Sequence, residues 1–469
     1  MRPAGTKKAD FTEGPLLRKM ILFAIPILVA GILQISYNSA DSIIVGKFSG
    51  DENALGAVGS TGNVYTVIVQ LVMGLGTGTS VLIAQFIGAK DEENVSKTVH
   101  TSMTIAVLGG IVIMFAGLWA SEPLLRLLGT NEELFDQALL YLKIIFLGVP
   151  GAALFNFGAL AIRASGDSKT PMIIPAVTGF LNVLLNMLFV IVFDMSVAGV
   201  ATATVVANYA SGIATTVILM RRNDALRFSI RKMAIHFSLF KQMLLLGIPT
   251  AIQTCLVTVS NMVLQSAVNT LPVAMISGVA IGMTLEGYMY MITQSVYQTA
   301  VTFIGQNYGA KRFDRTKKAM WCAFLIAGVA SAIAASTIII FNEPIASLFI
   351  DADAQNRAAV IAAVGERNSI TTSLYVLLGF ADVLIAFMRG YGSSIAPMVA
   401  SIFYNIVLRI LWARFVFPLD GFNSIVGLYT VYPISWIVGI CILTVMTVRT
   451  YKKTVARYDL PKINPSPEK

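Results

Sequence analysis

The chain has 469 residues, 56% of them hydrophobic and 13% charged, where a soluble domain usually carries about 25% charged residues. A mean hydropathy of +0.74, with apolar runs of about 20 residues recurring from end to end, excludes a water-soluble enzyme domain and implies an all-α integral membrane protein. The net charge of +9 is distributed as a topology signal, so no nucleic acid is expected as a partner.

In chain order, spans are expected at 16–45, 55–87, 97–120, 133–161, 171–193 and 197–220, then at 242–268, 273–305, 317–341, 368–388, 396–417 and 425–448. The residues before the first span hold no short apolar core with a small-residue cleavage site, so no signal peptide is expected. Pro26 falls inside the first span and Pro249 inside the seventh, where a kink is tolerated. Gly74-Leu-Gly76-Thr-Gly78 lies in the second span and reads as close helix packing. Cys255, Cys322 and Cys441 are too dispersed for a disulfide framework or a zinc site. The loops are short, and no Gly-x-x-x-x-Gly-Lys-Ser/Thr occurs, so neither an ATPase nor another enzyme is expected.

Between the sixth and seventh spans, 220–241 carries Arg221, Arg222, Arg227, Arg231, Lys232 and Lys241 against one acid, Asp224. Alternating the spans puts 27 of the 34 Lys and Arg on the side of the N-terminus. These include Arg2, Lys7, Lys8, Arg163, Arg389, Lys462 and Lys469. The opposite face receives Lys47, Arg126, Lys143, Arg357 and Arg367, while Arg409 and Arg414 lie within a span. The excess makes the linker and both termini cytoplasmic. Attraction of these charges to membrane lipid is a secondary effect. His100 and His236 are expected at the inner surface, without a titrating role.

The two sides of the linker repeat each other. Gln85-Phe-Ile-Gly88-Ala89-Lys90 returns as Gln306-Asn-Tyr-Gly309-Ala310-Lys311, and Arg163-Ala-Ser-Gly166 as Arg389-Gly-Tyr-Gly392. Pro26 matches Pro249, Asn38 matches Asn261 and Asn182 matches Asn405, with offsets of 221 to 226 residues throughout. The organisation is therefore 1–220 as a six-helix bundle, 221–241 as a cytoplasmic basic linker, and 242–469 as a second bundle with a cytoplasmic tail. An even number of spans per copy makes the repeats parallel, with substrate bound between them.

At these residues the chain resembles the multidrug and toxic compound extrusion (MATE) family. The match runs through Tyr37-Asn38-Ser-Ala-Asp41, the Gln85-to-Lys90 loop and Arg163-Ala-Ser-Gly-Asp-Ser-Lys-Thr-Pro171. The seventh span, from Gly247 to Gln253, lacks the glutamate of the NorM-like branch, so the chain looks closer to the DinF-like branch. The resemblance implies twelve transmembrane helices in two six-helix bundles, V-shaped with a central cavity. It implies an antiporter in a bacterial plasma (inner) membrane, exporting small organic, cationic compounds in exchange for protons or sodium ions. No cofactor is implied, and a monomer already supplies a two-sided cavity. A lipid-linked saccharide flippase of the same superfamily is the alternative.

Asp41 leads the candidate residues. An ionised Asp at a helix centre costs about 2.5–3.5 kcal/mol, which makes it a candidate to take up and release a proton; the competing reading is a solvated interfacial Asp beside Lys47. Asn182 and Asn186 lie four apart on one face of span five, roughly 18–24 Å from its start, and Thr204 lies roughly 12 Å below the outer end of span six. Asp41, Asn182, Asn186 and Thr204 thus fall at one depth, where the resemblance implies cation binding. The family pattern there is Asp, Asn, Asp, Thr. Asn186 replaces the second Asp, so a sodium site at these four residues is open to question. Glu286, Asp382 and Arg409 are candidates for substrate or proton in the second half, with Arg409 expected to pair with Asp382 or Glu286. Tyr37 and Asn156, the repeat mate of Asp382, complete the set.

Overall fold

The computed structural model describes residues 10–49, 53–350 and 356–459. Arg2, Lys7 and Lys8, and the tail with Lys462 and Lys469, lie outside the described residues. The described residues are helical, without strands. The first half comprises α1 (Leu16–Phe48), α2 (Ala54–Gly88), α3 (Glu92–Leu127), α4 (Glu132–Leu147), α5 (Val149–Ala164), α6 (Thr170–Met187) and α7 (Ser196–Arg221). The second half comprises α8 (Phe237–Val268), α9 (Val273–Gly309), α10 (Phe313–Ile340), α11 (Asn342–Ser347), α12 (Arg357–Ile370) and α13 (Val376–Gly390). It continues through α14 (Ile395–Ser401), α15 (Leu408–Leu411), α16 (Ile425–Tyr429) and α17 (Val431–Asp459). π-Helical turns at Leu188–Val192, Ile402–Val407 and Trp412–Val416 extend or join these helices.

Ten described helical stretches are long and apolar enough to cross a membrane. Their outward faces carry large apolar side chains such as Leu22, Val112, Trp119 and Ile333, which in water would be an unsupported surface and in lipid are its natural contact. The span expected at 133–161 is broken: Gly148 separates α4 from α5 with a 46° bend, and Pro150 opens α5 in the first helical turn, where its missing N–H is harmless. The tenth span is also not one rod. Helices α12 and α13 are joined through 371–375, and α12 begins eleven residues before the expected 368. Arg367 is therefore not an outer-face charge. It is 1% exposed, inside the second half.

Small residues set how the halves meet. A Cβ on Gly74 would lie 2.5 Å from the Ala251 backbone, and one on Gly78 would lie 2.3 Å from the Met243 carbonyl oxygen. The glycine run of α2 thus lets it pack directly on α8.

The linker side of the molecule is closed by contacts that the repeat makes twice. Gln85 Nε2 donates to the Gly390 carbonyl at 2.9 Å, and its mate Gln306 donates to the Ala164 carbonyl at 2.8 Å. Gly88 packs on the Gln306 carbonyl and Gly309 on the Gln85 carbonyl. Arg163 donates to Gln298 at 2.7 Å across the halves. Arg389 donates to Gln253 at 2.7 Å and to the Tyr297 hydroxyl. Arg389 is 5% exposed, so it is an interior bonding group rather than a loop charge. The chain before α1 adds a hook: Phe11 stacks on Phe303, and Arg312 and Arg315 donate to the Thr12 and Gly14 carbonyls.

The linker folds back on the first half. Phe228 and Leu226 are buried, Ser229 N donates to His100 Nε2 at 3.1 Å, and His236 N donates to Thr101 Oγ1 at 3.2 Å. His100, expected at the surface, is 4% exposed because the linker covers it. Arg222 pairs with Asp224 at 2.9 Å, while Arg221, Arg227, Arg231, Lys232 and Lys241 stay exposed.

Candidate functional site

Four candidate residues from three helices form one hydrogen-bonded chain. Asp41 sits two turns before the end of α1. Asn182 and Asn186 project from one face of α6, and Thr204 from α7. Asn186 Nδ2 donates to Asp41 Oδ1 and also approaches Asn182 Oδ1 at 3.3 Å, while Asn182 Nδ2 donates to Thr204 Oγ1 at 3.4 Å. Asn182 is 5% exposed and Asn186 is fully buried. The chain of α6 then widens into the π turn Leu188–Val192. Such turns are rare and frequently mark functional sites.

The electrostatics follow from the inventory. Asp41 forms no ion pair with Lys47 or any other described base. Asn186 Oδ1 is buried and meets no donor, a defect that ordinarily costs about 1–3 kcal/mol. The site thus presents a carboxylate, two amide carbonyls and a hydroxyl, with more acceptors than donors. That donor set fits a proton on Asp41, and it offers oxygen ligands to a hard monovalent cation. With one carboxylate it carries a single compensating charge. Among the described residues, no group of three His, Cys, Asp or Glu forms a metal cluster.

The other candidates separate from this chain. Tyr37 packs its ring against Gly179 and donates its hydroxyl to the Ala176 carbonyl at 3.0 Å, so it fixes α1 against α6. Asn156 donates to Ala152 within its own helix at 2.8 Å and lines a small cavity with Asn208 and Ile68.

In the second half the expected pairing of Arg409 is replaced. Glu286 pairs with Arg367, the cation that the late start assigned to span ten had placed outside. Arg409 reaches only neutral oxygens, Ser435 Oγ and Asn261 Oδ1, each at 3.4 Å. Two tyrosines separate the guanidiniums: Arg367 lies 4.5 Å over Tyr429, Arg409 lies 4.1 Å over Tyr432, and those rings are 5.4 Å apart. Asp382 is apart from both arginines, with a buried Oδ2 that meets no donor.

Comparison with known proteins bears on this arrangement. The MatE family model matches residues 26–188 and again 249–413. The chain is 29% identical over 439 residues to the probable multidrug resistance protein YoeA of Bacillus subtilis (strain 168), covering 91% of this chain and 92% of that one. It is 31% identical to the probable multidrug resistance protein YpnP of the same organism, over 65% of this chain and 67% of that one. Among solved structures, one described as the outward-facing conformation of a multidrug resistance MATE family transporter superposes with a TM-score of 0.87 at 21% identity, covering 96% of this chain and all of that one.

Proposed function

The chain belongs to the MatE family, and from that premise we propose that it is a secondary active efflux antiporter. It exports small organic, cationic compounds from the cell in exchange for protons or sodium ions. The names of the relatives YoeA and YpnP, each a "probable multidrug resistance protein", support drug efflux. The observation that carries the coupling is the chain Asp41–Asn186–Asn182–Thr204 with its unused Asn186 oxygen. A cation or proton at Asp41 removes the isolated charge and accepts the spare lone pair. Its arrival and departure change the bonding between α1, α6 and α7, which is the differential interaction that a conformational shift needs.

In this reading the protein lies in a bacterial inner membrane as a monomer, with the linker and both termini cytoplasmic. The closed linker side then corresponds to a state open, or opening, to the exterior. Opening to the cytoplasm breaks the paired bonds of Gln85 and Gln306. The test is uptake of a fluorescent lipophilic cation into energised inside-out vesicles and resistance of expressing cells to the same compound. Gradient-dependent accumulation in the vesicles supports the proposal. Absence of transport of lipophilic cations under proton and sodium gradients alike would overturn it in favour of a lipid-linked saccharide flippase.

A further inference from the structure

The repeat places a site of opposite polarity in the second half. An offset of 223 residues carries Asn186 to Arg409 and Asn38 to Asn261. It also carries the neighbourhood of the π turn Leu188–Val192 to that of Trp412–Val416. A second π turn, Ile402–Val407, precedes Arg409 directly. Where the first half has a carboxylate bonded to an asparagine of the facing helix, the second half has a guanidinium bonded to one.

The hydrogen-bonding balance inverts as well. The first site leaves an acceptor unused, Asn186 Oδ1. In the aromatic cluster of Arg409 and Arg367 three donors, Arg367 Nε, Asn368 Nδ2 and Trp436 Nε1, are buried and meet no acceptor, while the unused acceptor Asp382 Oδ2 lies on α13 and bonds to neither arginine. Trp436 packs edge-on against Tyr432, the ring under Arg409. The formal charge of the cluster is also unbalanced, because Glu286 neutralises Arg367 alone. Arg409 is 3% exposed, and a guanidinium stays charged when buried. Its 3.4 Å bonds to neutral oxygens are long beside the 2.7 Å bonds that Arg163 and Arg389 make to glutamine carbonyls. Asn261 is only half-buried, so the Nη1 edge is the side a ligand reaches.

We infer that Arg409, with Asn261, Ser435 and Trp436, forms a binding site for a monoanionic group, either an inorganic halide or the carboxylate of an organic compound. The planar fork of Arg409 matches a carboxylate edge. A transporter with this site handles zwitterionic or anionic cargo, or a counter-anion, beside the cation taken at Asp41.

The test uses the purified full chain in neutral detergent, at fixed sodium concentration and ionic strength, with gluconate as the reference anion. Sodium chloride and sodium benzoate are each titrated while tryptophan emission and the unfolding midpoint are recorded. We expect a saturable response to at least one probe. Chloride alone identifies an inorganic anion as the ligand, and benzoate identifies an organic carboxylate. Arg409→Gln weakens the response by about tenfold to a hundredfold, Arg409→Lys by less, and Arg126→Gln, at an exposed arginine paired with Glu122, leaves it unchanged. Trp436→Phe removes the emission change and weakens the stabilisation, by less than Arg409→Gln does, because one N–H donor is lost while the guanidinium stays. If Arg409→Gln does not fold, the Arg409→Lys and Trp436→Phe results decide. A wild type without a saturable response to either anion, or the same response in wild type and every folded Arg409 variant, overturns the inference. Because binding is read without transport, failure of the antiport proposal leaves this result standing, and the converse.

Discussion

A single methyl group at Gly88 should pry the linker side open. In the closed arrangement a Cβ there would lie 1.9 Å from the Gln306 carbonyl oxygen and 2.7 Å from its carbon, and one on Gly309 would lie 1.9 Å from the Gln85 oxygen. These are backbone atoms, so no rotamer relieves the overlap. The helices must separate until ordinary contact, which begins at 3.4 Å, is restored. Overpacking of this kind costs about 1–3 kcal/mol. The strain exists only while this side is closed, so it transfers directly to the open–closed equilibrium, a shift of about 5–150-fold. The reporter is Ala164→Cys, fully buried in the closed state, in a Cys255→Ser, Cys322→Ser, Cys441→Ser background. Its rate of modification by a small water-soluble maleimide should rise by that factor in Gly88→Ala and in Gly309→Ala. The same substitution at Gly59 or Gly62, which have no atom within 4 Å of the added carbon, should leave the rate alone. An unchanged rate in both close-packed variants, with folding intact, would refute the identification of this crossing as the closure.

Breaking the Glu286–Arg367 pair from one side strands a buried charge. Glu286→Leu should cost about 3–5 kcal/mol, and adding Arg367→Leu should recover most of it; equal unfolding midpoints for the single and double variants would contradict this. His100→Ala removes the acceptor for Ser229 N and the ring against Phe228. Proteolytic nicking at Arg227 and Arg231 should rise while efflux is retained, and lost efflux would show that the linker contact matters for transport. Asp91 caps α3, accepting from the Asn94 backbone at 3.0 Å and from its side chain at 2.7 Å, bonds that hold its carboxyl below the usual carboxylate range. Its contribution is therefore present above the unfolded-state value and fades as pH falls through the lower folded one. Asp91→Ala should cost about 0.5–2 kcal/mol at neutral pH and show a shallower loss of unfolding temperature on acidification.

The helical spans and the duplication were legible because hydropathy and a constant offset are properties of the chain itself. Asp41, Asn182, Asn186 and Thr204 were legible for a related reason: helical rise fixes depth, and four polar residues at one depth meet. Arg367 was not, because it opens no apolar run. The residues before it are short of large apolar side chains, and α12 starts well before the run that marked span ten. The repeat held the missing signal, since an offset of 226 puts Arg367 opposite Tyr141, which is buried in α4. With Arg367 counted outside, Glu286 had only Arg409 as a partner. The breaks at Gly148 and 371–375, and the burial of His100, depend on tertiary packing that no single stretch records.

The central claim is that Asp41 couples ion entry to export. It is tested most directly by lipophilic-cation transport in reconstituted vesicles, comparing wild type with Asp41→Asn under a proton gradient alone and then a sodium gradient alone. Wild type should respond to at least one gradient, and Asp41→Asn, expressed and folded, should lose that response. Transport at the wild-type rate in Asp41→Asn would contradict the claim and move coupling to the second half, to Glu286 and Asp382.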